Sequence, residues 1–186
     1  GPYIPQWLTP EEAALPSPEE VAADLLADVR ANLPTPAVVP YPDADVAALL
    51  EVPTFVSVTN WPDGYTEEGC DATGIICVEL TLEPALTFDP GDGSGTIACE
   101  PGGTAYDPAD GTPREVAARD GACTHTYEQR TGVAGRAAAY DATVTVTWTV
   151  SYQQVPAGAS GTLDPIPLSD GFTREVEEVQ SVGRDD

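Results

Sequence analysis

The chain has 186 residues, with 31 acidic side chains against seven arginines and no lysine, and a formal net charge of −24 at pH 7. A surface of that sign repels nucleic acid and anionic lipid, which excludes both as partners. Seventeen glycines, nineteen prolines and an aromatic content of 7% point to short strands joined by turns and irregular segments. The length allows one sizeable domain, or a smaller one with an appendage.

Gly1-Pro2 matches the remnant a processing protease leaves and is set apart from the fold. No leader peptide and no apolar run of roughly 18 residues follows, so the chain reads as a soluble piece, with any leader or anchor outside it. Residues 3–50 read as an arm, a helix and a strap. The arm, 3–16, is interrupted by proline and carries Trp7 and Leu8. Ser17-Pro18-Glu19-Glu20 is a helix start, with serine as N-cap, proline at the first helical position and acids in the first turn. Val21, Leu25, Leu26 and Val29 then recur at helical spacing, which predicts a helix over 18–32, ended by Asn32 and Pro34. Its apolar stripe is narrow, as in a docking or tethering helix. Pro34, Pro36, Pro40 and Pro42 predict an extended, polyproline-like strap over 33–45.

Residues 51–182 carry the strand signals, and 183–186 form a tail. A first strand is predicted over 52–58, punctuated by Asn60-Trp61-Pro62-Asp63-Gly64. Ile76, Val78, Leu80 and Leu82 alternate with polar neighbours as a half-buried strand; Pro84 interrupts it, and Leu86 and Phe88 begin the next. A tight turn, Asp89-Pro90-Gly91-Asp92-Gly93-Ser94-Gly95, leads to a short strand over 96–99 and then a long loop over 100–121. Residues 124–127 precede a second glycine loop at 132–135. The clearest signal follows. Tyr140, Ala142, Val144, Val146, Trp148, Val150 and Tyr152 share one parity, and four threonines with Ser151 share the other, so 140–152 is a strand with one apolar and one hydroxyl face. A turn at 158–161 leads to a hairpin partner, and 172–182 is the terminal strand.

Cys70, Cys77, Cys99 and Cys123 show no C-x-x-C spacing, and a single histidine cannot complete a usual zinc set. Two disulfides are expected instead, in an oxidising compartment. Three pairings are open; Cys70–Cys77 with Cys99–Cys123 is favoured, a short loop and a longer one.

Phe88-Asp89-Pro90-Gly91-Asp92-Gly93-Ser94, His125-Thr126-Tyr127 and the run from Tyr140 to Val146 together resemble the PKD (polycystic kidney disease) domain. That family has a W-x-F-G-D-G turn, an H-x-Y motif and a G-x-Y-x-V-x-L-x-V strand. Gly103-Thr104-Ala105-Tyr106-Asp107-Pro108, Cys123-Thr124-His125-Thr126-Tyr127 and Thr145-Val146-Thr147-Trp148-Thr149-Val150 are similar to a narrower group, actinobacterial exported proteins with a PKD-like domain. The likeness covers roughly 51–182; Phe88 stands where the family has tryptophan, and the Cys70–Cys77 segment lies outside the motif. The resemblance implies an all-β, immunoglobulin-like (PKD-like) β-sandwich with an N-terminal helical, Pro-rich extension. It also implies structural roles. Phe88 precedes the turn, Gly93 supplies backbone freedom, and His125 sits in a strand. Tyr127 bonds backbone as in a tyrosine corner, and Trp148 lies in the core near Cys99 and Cys123.

One histidine restricts any Ser-His-Asp or Cys-His mechanism to His125. Ser94, Ser151 and Asp92 are available, yet no nucleophile-elbow pattern surrounds either serine, and no catalytic residue is assigned. Paired carboxylates carry no information among 31 acids. Nucleotide binding is excluded because there is no G-x-x-x-x-G-K-[ST] and no lysine. Calcium is the one cofactor expectation: Asp89, Asp92 and Ser94 crowd a glycine turn, and Asp107, Asp110 and Asp120 lie in the long loop, whereas the ion wants about six to eight oxygens. Turn chemistry alone also accounts for these aspartates. Trp7, Trp61 and Tyr106 are the contact candidates. The expectation is therefore a noncatalytic extracellular or cell-envelope module that binds another protein. The alternatives are a carbohydrate or cell-wall module using Trp61, Tyr65 and Tyr106, and a calcium-binding structural domain of a larger surface assembly.

Overall fold

A computed structural model describes residues 14–119 and 121–179, whose regular structure is mainly antiparallel strands. In chain order the elements are α1 (Pro18–Arg30), β1 (Val38–Tyr41), β2 (Ala48–Leu49), β3 (Thr54–Val58), β4 (Tyr65–Cys70), β5 (Cys77–Asp89), β6 (Ile97–Cys99), a 3-10 turn (Pro108–Asp110), α2 (Pro113–Ala117), β7 (Thr124–His125), β8 (Tyr140–Val155), β9 (Ser160–Arg174) and β10 (Val176–Glu177). They make an all-β chain with sheets ordered β1-β3-β7, β10-β2 and β4-β5-β8-β9, β6 also pairing with β5. No helix among the described residues is long and apolar enough to cross a membrane. The chain forms two compact units, and the described parts of the first are residues 14–33, 64–83 and 149–164.

In this first unit, α1 begins with the predicted cap. Ser17 Oγ accepts from the Glu20 amide at 3.1 Å, and Glu20 Oε2 accepts from the Ser17 amide at 2.7 Å. This reciprocal box satisfies two amide hydrogens that a bare helix end leaves open. The helix buries Val21, Ala22 and Val29. Leu25 lies against Gly69 of β4, where even a methyl group would come within 3.0 Å of Leu25 Cδ1. β4 pairs with β5 from Tyr65↔Leu82 to Cys70↔Cys77, and a disulfide joins that last pair. Val78, Leu80 and Leu82 are fully buried at alternate positions, as their parity predicts.

The described part of the second unit comprises residues 34–63, 84–119, 121–148 and 165–179. Here the Pro-rich strap departs from its polyproline expectation, because 38–41 pair with β3 as β1, from Val38↔Val58 to Tyr41↔Phe55. The Thr59 amide donates to Ala37 O at 3.0 Å, and the Val56 amide instead bonds Cys123 O on the other side of β3. By alternation, Val39 and Tyr41 face the ladder while Pro40 points its missing N–H outward, so the proline costs no bond and blunts the edge. Pro84 follows the same logic. The expectation is that it breaks a strand, yet β5 runs through it, because β4 pairs with β5 only up to Leu82 and the pairing with β6 begins at Leu86. Pro84 sits in the gap between those partners. The predicted terminal strand also divides: Phe172–Arg174 ends β9, Val176–Glu177 is β10, and 180–182 lie outside the described residues.

Phe55, Phe88, Tyr127, Val144, Val146 and Trp148 are buried in this unit's core. The long loop is partly helical. Tyr106 stacks on Phe55 at 4.9 Å, and the Gly103 region bridges Ser57. Gly91 shows how tightly the turn after β5 is held: its φ is +80°, and an added Cβ would collide with the Asp141 backbone. Gly91→Ala is expected to cost about 2–4 kcal/mol, combining left-handed strain with an overpacked contact. The midpoint of a denaturant titration measures it, and a shift no larger than that of Gly93→Ala, where the same Cβ would meet nothing within 4 Å, would contradict the packing argument.

Candidate functional site

The turn after β5 and the short β7 meet in the second unit. Register fixes β7, with Thr54 opposite His125 and the Thr54 hydroxyl donating to His125 O at 2.8 Å. Two residues before His125, Cys123 is crosslinked to Cys99. The turn is shaped by its own aspartates: Asp89 Oδ1 accepts from the Gly91 amide at 2.9 Å, and Asp92 Oδ1 accepts from the Ser94 amide at 3.0 Å and hydroxyl at 2.5 Å. Asp92 Oδ2 then reaches His125 Nε2 at 2.7 Å, with both side chains largely buried, at 14% and 12% exposure. Burial pushes the Asp92 carboxyl up, but the Ser94 bonds and His125 outweigh it and hold the group below its ordinary value. An ionised Asp92 can only accept, so Nε2 carries the hydrogen.

Tyr127 completes the arrangement. It is 1% exposed, its hydroxyl donates to Pro90 O at 3.2 Å, and burial raises its phenol, so the hydroxyl stays a donor. The His125 ring meets it edge-on at 4.6 Å, and Tyr140 stacks on it at 5.4 Å. Ala48 and Val176 pack around it. A cleft of about 300 Å³ opens beside Asp92 and His125, lined also by Glu128, Gln129 and Tyr140.

This geometry differs from that of a serine triad. There a hydroxyl faces the imidazole and a carboxylate orients the far side of the ring. Here the Ser94 hydroxyl is bonded to the carboxylate, and the imidazole nitrogen donates to that same carboxylate. The hydroxyl gains no base. Because the Asp92 carboxyl is depressed in the fold, it stabilises the folded state above the unfolded value of about pH 4 and loses that contribution as pH falls through the lower folded value. Asp92→Asn is therefore expected to flatten the acid limb of stability below about pH 4, read as urea midpoints against pH. An unchanged limb would remove the link between the pair and the fold.

The aspartates named in the calcium expectation serve their own turns. Asp89 and Asp92 cap their own turn, and Asp107 caps the 3-10 turn by accepting from the Ala109 amide at 2.9 Å. Among the described residues no group of three or more His, Cys, Asp or Glu comes together to hold an ion. Asp120 lies outside the described residues. The melting temperature is expected to be the same in calcium and in chelator, and a rise of several degrees with calcium would overturn this.

The contact candidates separate. Trp7 lies outside the described residues; Trp61 is half-buried. Tyr106 is engaged internally, stacked on Phe55, 4.5 Å from Tyr41, and donating its hydroxyl to Gly111 O at 2.8 Å. Phe88 and Trp148 are each 1% exposed, and Phe88 stacks on Phe172 at 6.4 Å. Gly93 takes φ +86°. Sequence reasoning misses the Asp92–His125 contact and also misses Arg174, which is 1% exposed and donates to three backbone carbonyls. A single arginine on the apolar parity of Phe172 and Val176 is the available signal for the latter. No family model, curated protein or solved structure matches this chain.

Proposed function

We propose that this chain is a noncatalytic extracellular or cell-envelope module, an immunoglobulin-like, PKD-like β-sandwich that works by binding another protein. The observation that carries the reading is the mutual satisfaction of the turn and the His-x-Tyr segment. Asp92 serves Ser94 and His125, and Tyr127 serves Pro90, so the side chains with reactive potential act as fasteners. Two disulfides suit an oxidising environment, which supports export. Carbohydrate binding is less well supported, because a sugar platform needs free, flat rings and Tyr106 is stacked internally. The test is to present the immobilised chain to solubilised cell-envelope proteins and, separately, to a glycan array. Saturable capture of a protein is expected; glycan binding without protein capture would replace this reading with the other.

A further inference from the structure

The first unit carries a trough beside α1. On one side of Leu25 it has a volume of about 470 Å³ and is lined by Pro16, Val21 and Leu25, with Asp24, Asp28 and Asp71 among its walls. On the other side it continues over about 320 Å³, sharing Leu25 and Asp28 and adding Val29, Tyr65 and Glu67. The floor is aliphatic and the rim acidic. Leu15, next to Pro16, and Ile75, in the turn that holds Asp71, are 48% and 63% exposed. Both are large apolar side chains left open to solvent within a few residues of the lining in sequence.

The rim charges are not neutralised within the unit, where Arg30 is the one cation among the described residues. Asp71 is also fixed in place: its carboxylate accepts from the Thr73 hydroxyl at 2.5 Å and the Ile76 and Ile75 amides at 2.9 and 3.0 Å. A metal ion does not suit this rim, because no ligand set of three assembles among the described residues. An apolar floor under a one-signed rim instead matches a strand or helix that offers aliphatic side chains on one face and cations along its flanks.

We propose that the trough beside α1 docks a cationic, leucine-bearing segment of a partner protein. Its aliphatic side chains lie on Leu25, and its lysines or arginines pair with Asp24, Asp28 and Asp71. The proposal rests on the protein-binding reading above and names the chemistry of that partner. The probe is a short synthetic peptide of alternating lysine and leucine, titrated by fluorescence anisotropy into the full chain at physiological salt. Asp24→Asn combined with Asp28→Asn is expected to weaken binding by about five- to tenfold, the loss of two exposed ion pairs. Asp170→Asn combined with Glu177→Gln removes the same charge from the other unit and is expected to leave binding unchanged. A glutamate–leucine peptide and a lysine–serine peptide are both expected to bind weakly. Equal weakening by the two variant pairs, equal binding of the lysine–serine peptide, or no binding of the lysine–leucine peptide would each overturn the proposal. Envelope capture that persists undiminished in the Asp24→Asn/Asp28→Asn chain would also overturn it while sparing the protein-binding reading. Absence of any captured protein defeats that reading itself.

Discussion

Reducing both disulfides is expected to leave the chain largely unfolded in mild urea, where the oxidised form is fully folded. The two crosslinks close loops of sequence separation 7 and 24. Loop-closure entropy assigns them about 2.4 and about 3.4 kcal/mol respectively. The loops are disjoint and belong to different units, so their effects should add. Domains are stable by only about 5–15 kcal/mol, so the two together amount to a large part of the total. The larger effect should come from Cys99–Cys123, because it anchors β7 and hence His125 to β6. Replacing Cys99 and Cys123 by alanine should therefore lower the urea midpoint more than replacing Cys70 and Cys77, whose partners are already held by the β4–β5 ladder. If thiol titration shows complete reduction and the midpoint does not move, the crosslinks add nothing to the fold, and the argument from them to an oxidising compartment fails.

How much of this was readable beforehand depends on the range of the interaction. β8 is legible because its signal is local: parity alone separates Val144, Val146 and Trp148 from the threonines, and all three are buried. The start of α1 is equally local, since the cap and its reciprocal glutamate lie three residues apart. The two cysteine pairs are the favoured ones, chosen by loop length. Prolines mislead, because their effect depends on whether a neighbouring strand needs the missing N–H. Pro40 and Pro84 both sit where no partner asks for it, and that fact resides in the pairing register rather than in the proline. The candidate site is only half legible. Motif likeness marks Asp92, His125 and Tyr127, but no periodicity states that side chains 33 residues apart will meet at 2.7 Å. Aspartate runs are ambiguous for a related reason. A run of aspartates looks the same in one dimension whether it converges on an ion or caps successive turns, and here each carboxylate serves its own backbone.

Arg174→Met, at the end of β9, should do more damage to the strap's anchoring than any other single substitution. The guanidinium is 1% exposed and lies over the Phe172 ring, with Cζ 5.2 Å from the ring centroid. Nη2 donates to Pro42 O at 2.7 Å, while Nη1 donates to Val46 O at 2.9 Å and Asp43 O at 3.1 Å. Those carbonyls belong to the loop that delivers the chain into β2, which runs parallel to β10 two residues beyond the arginine. One planar fork thus gathers a loop that no ladder holds. Burial lowers the arginine's proton affinity, with Tyr127 and Asp43 opposing that shift, yet a guanidinium remains charged at any working pH. Hydrogen bonds to a charged group contribute about 1.5–3 kcal/mol each, and the loop can rehydrate once it lifts, so the net loss should be about 3–5 kcal/mol. Methionine roughly matches the stem in volume and isolates the loss of donors from the loss of packing. Arg174→Lys keeps the charge but offers a point donor in place of a fork, and should recover less than half of the difference. Denaturant midpoints measure the cost, and limited proteolysis should show new cleavage between Pro42 and Val46 in the methionine variant. A lysine variant as stable as the parent would show that charge alone holds the loop, and an uncleaved methionine variant would show that the strap needs no clamp.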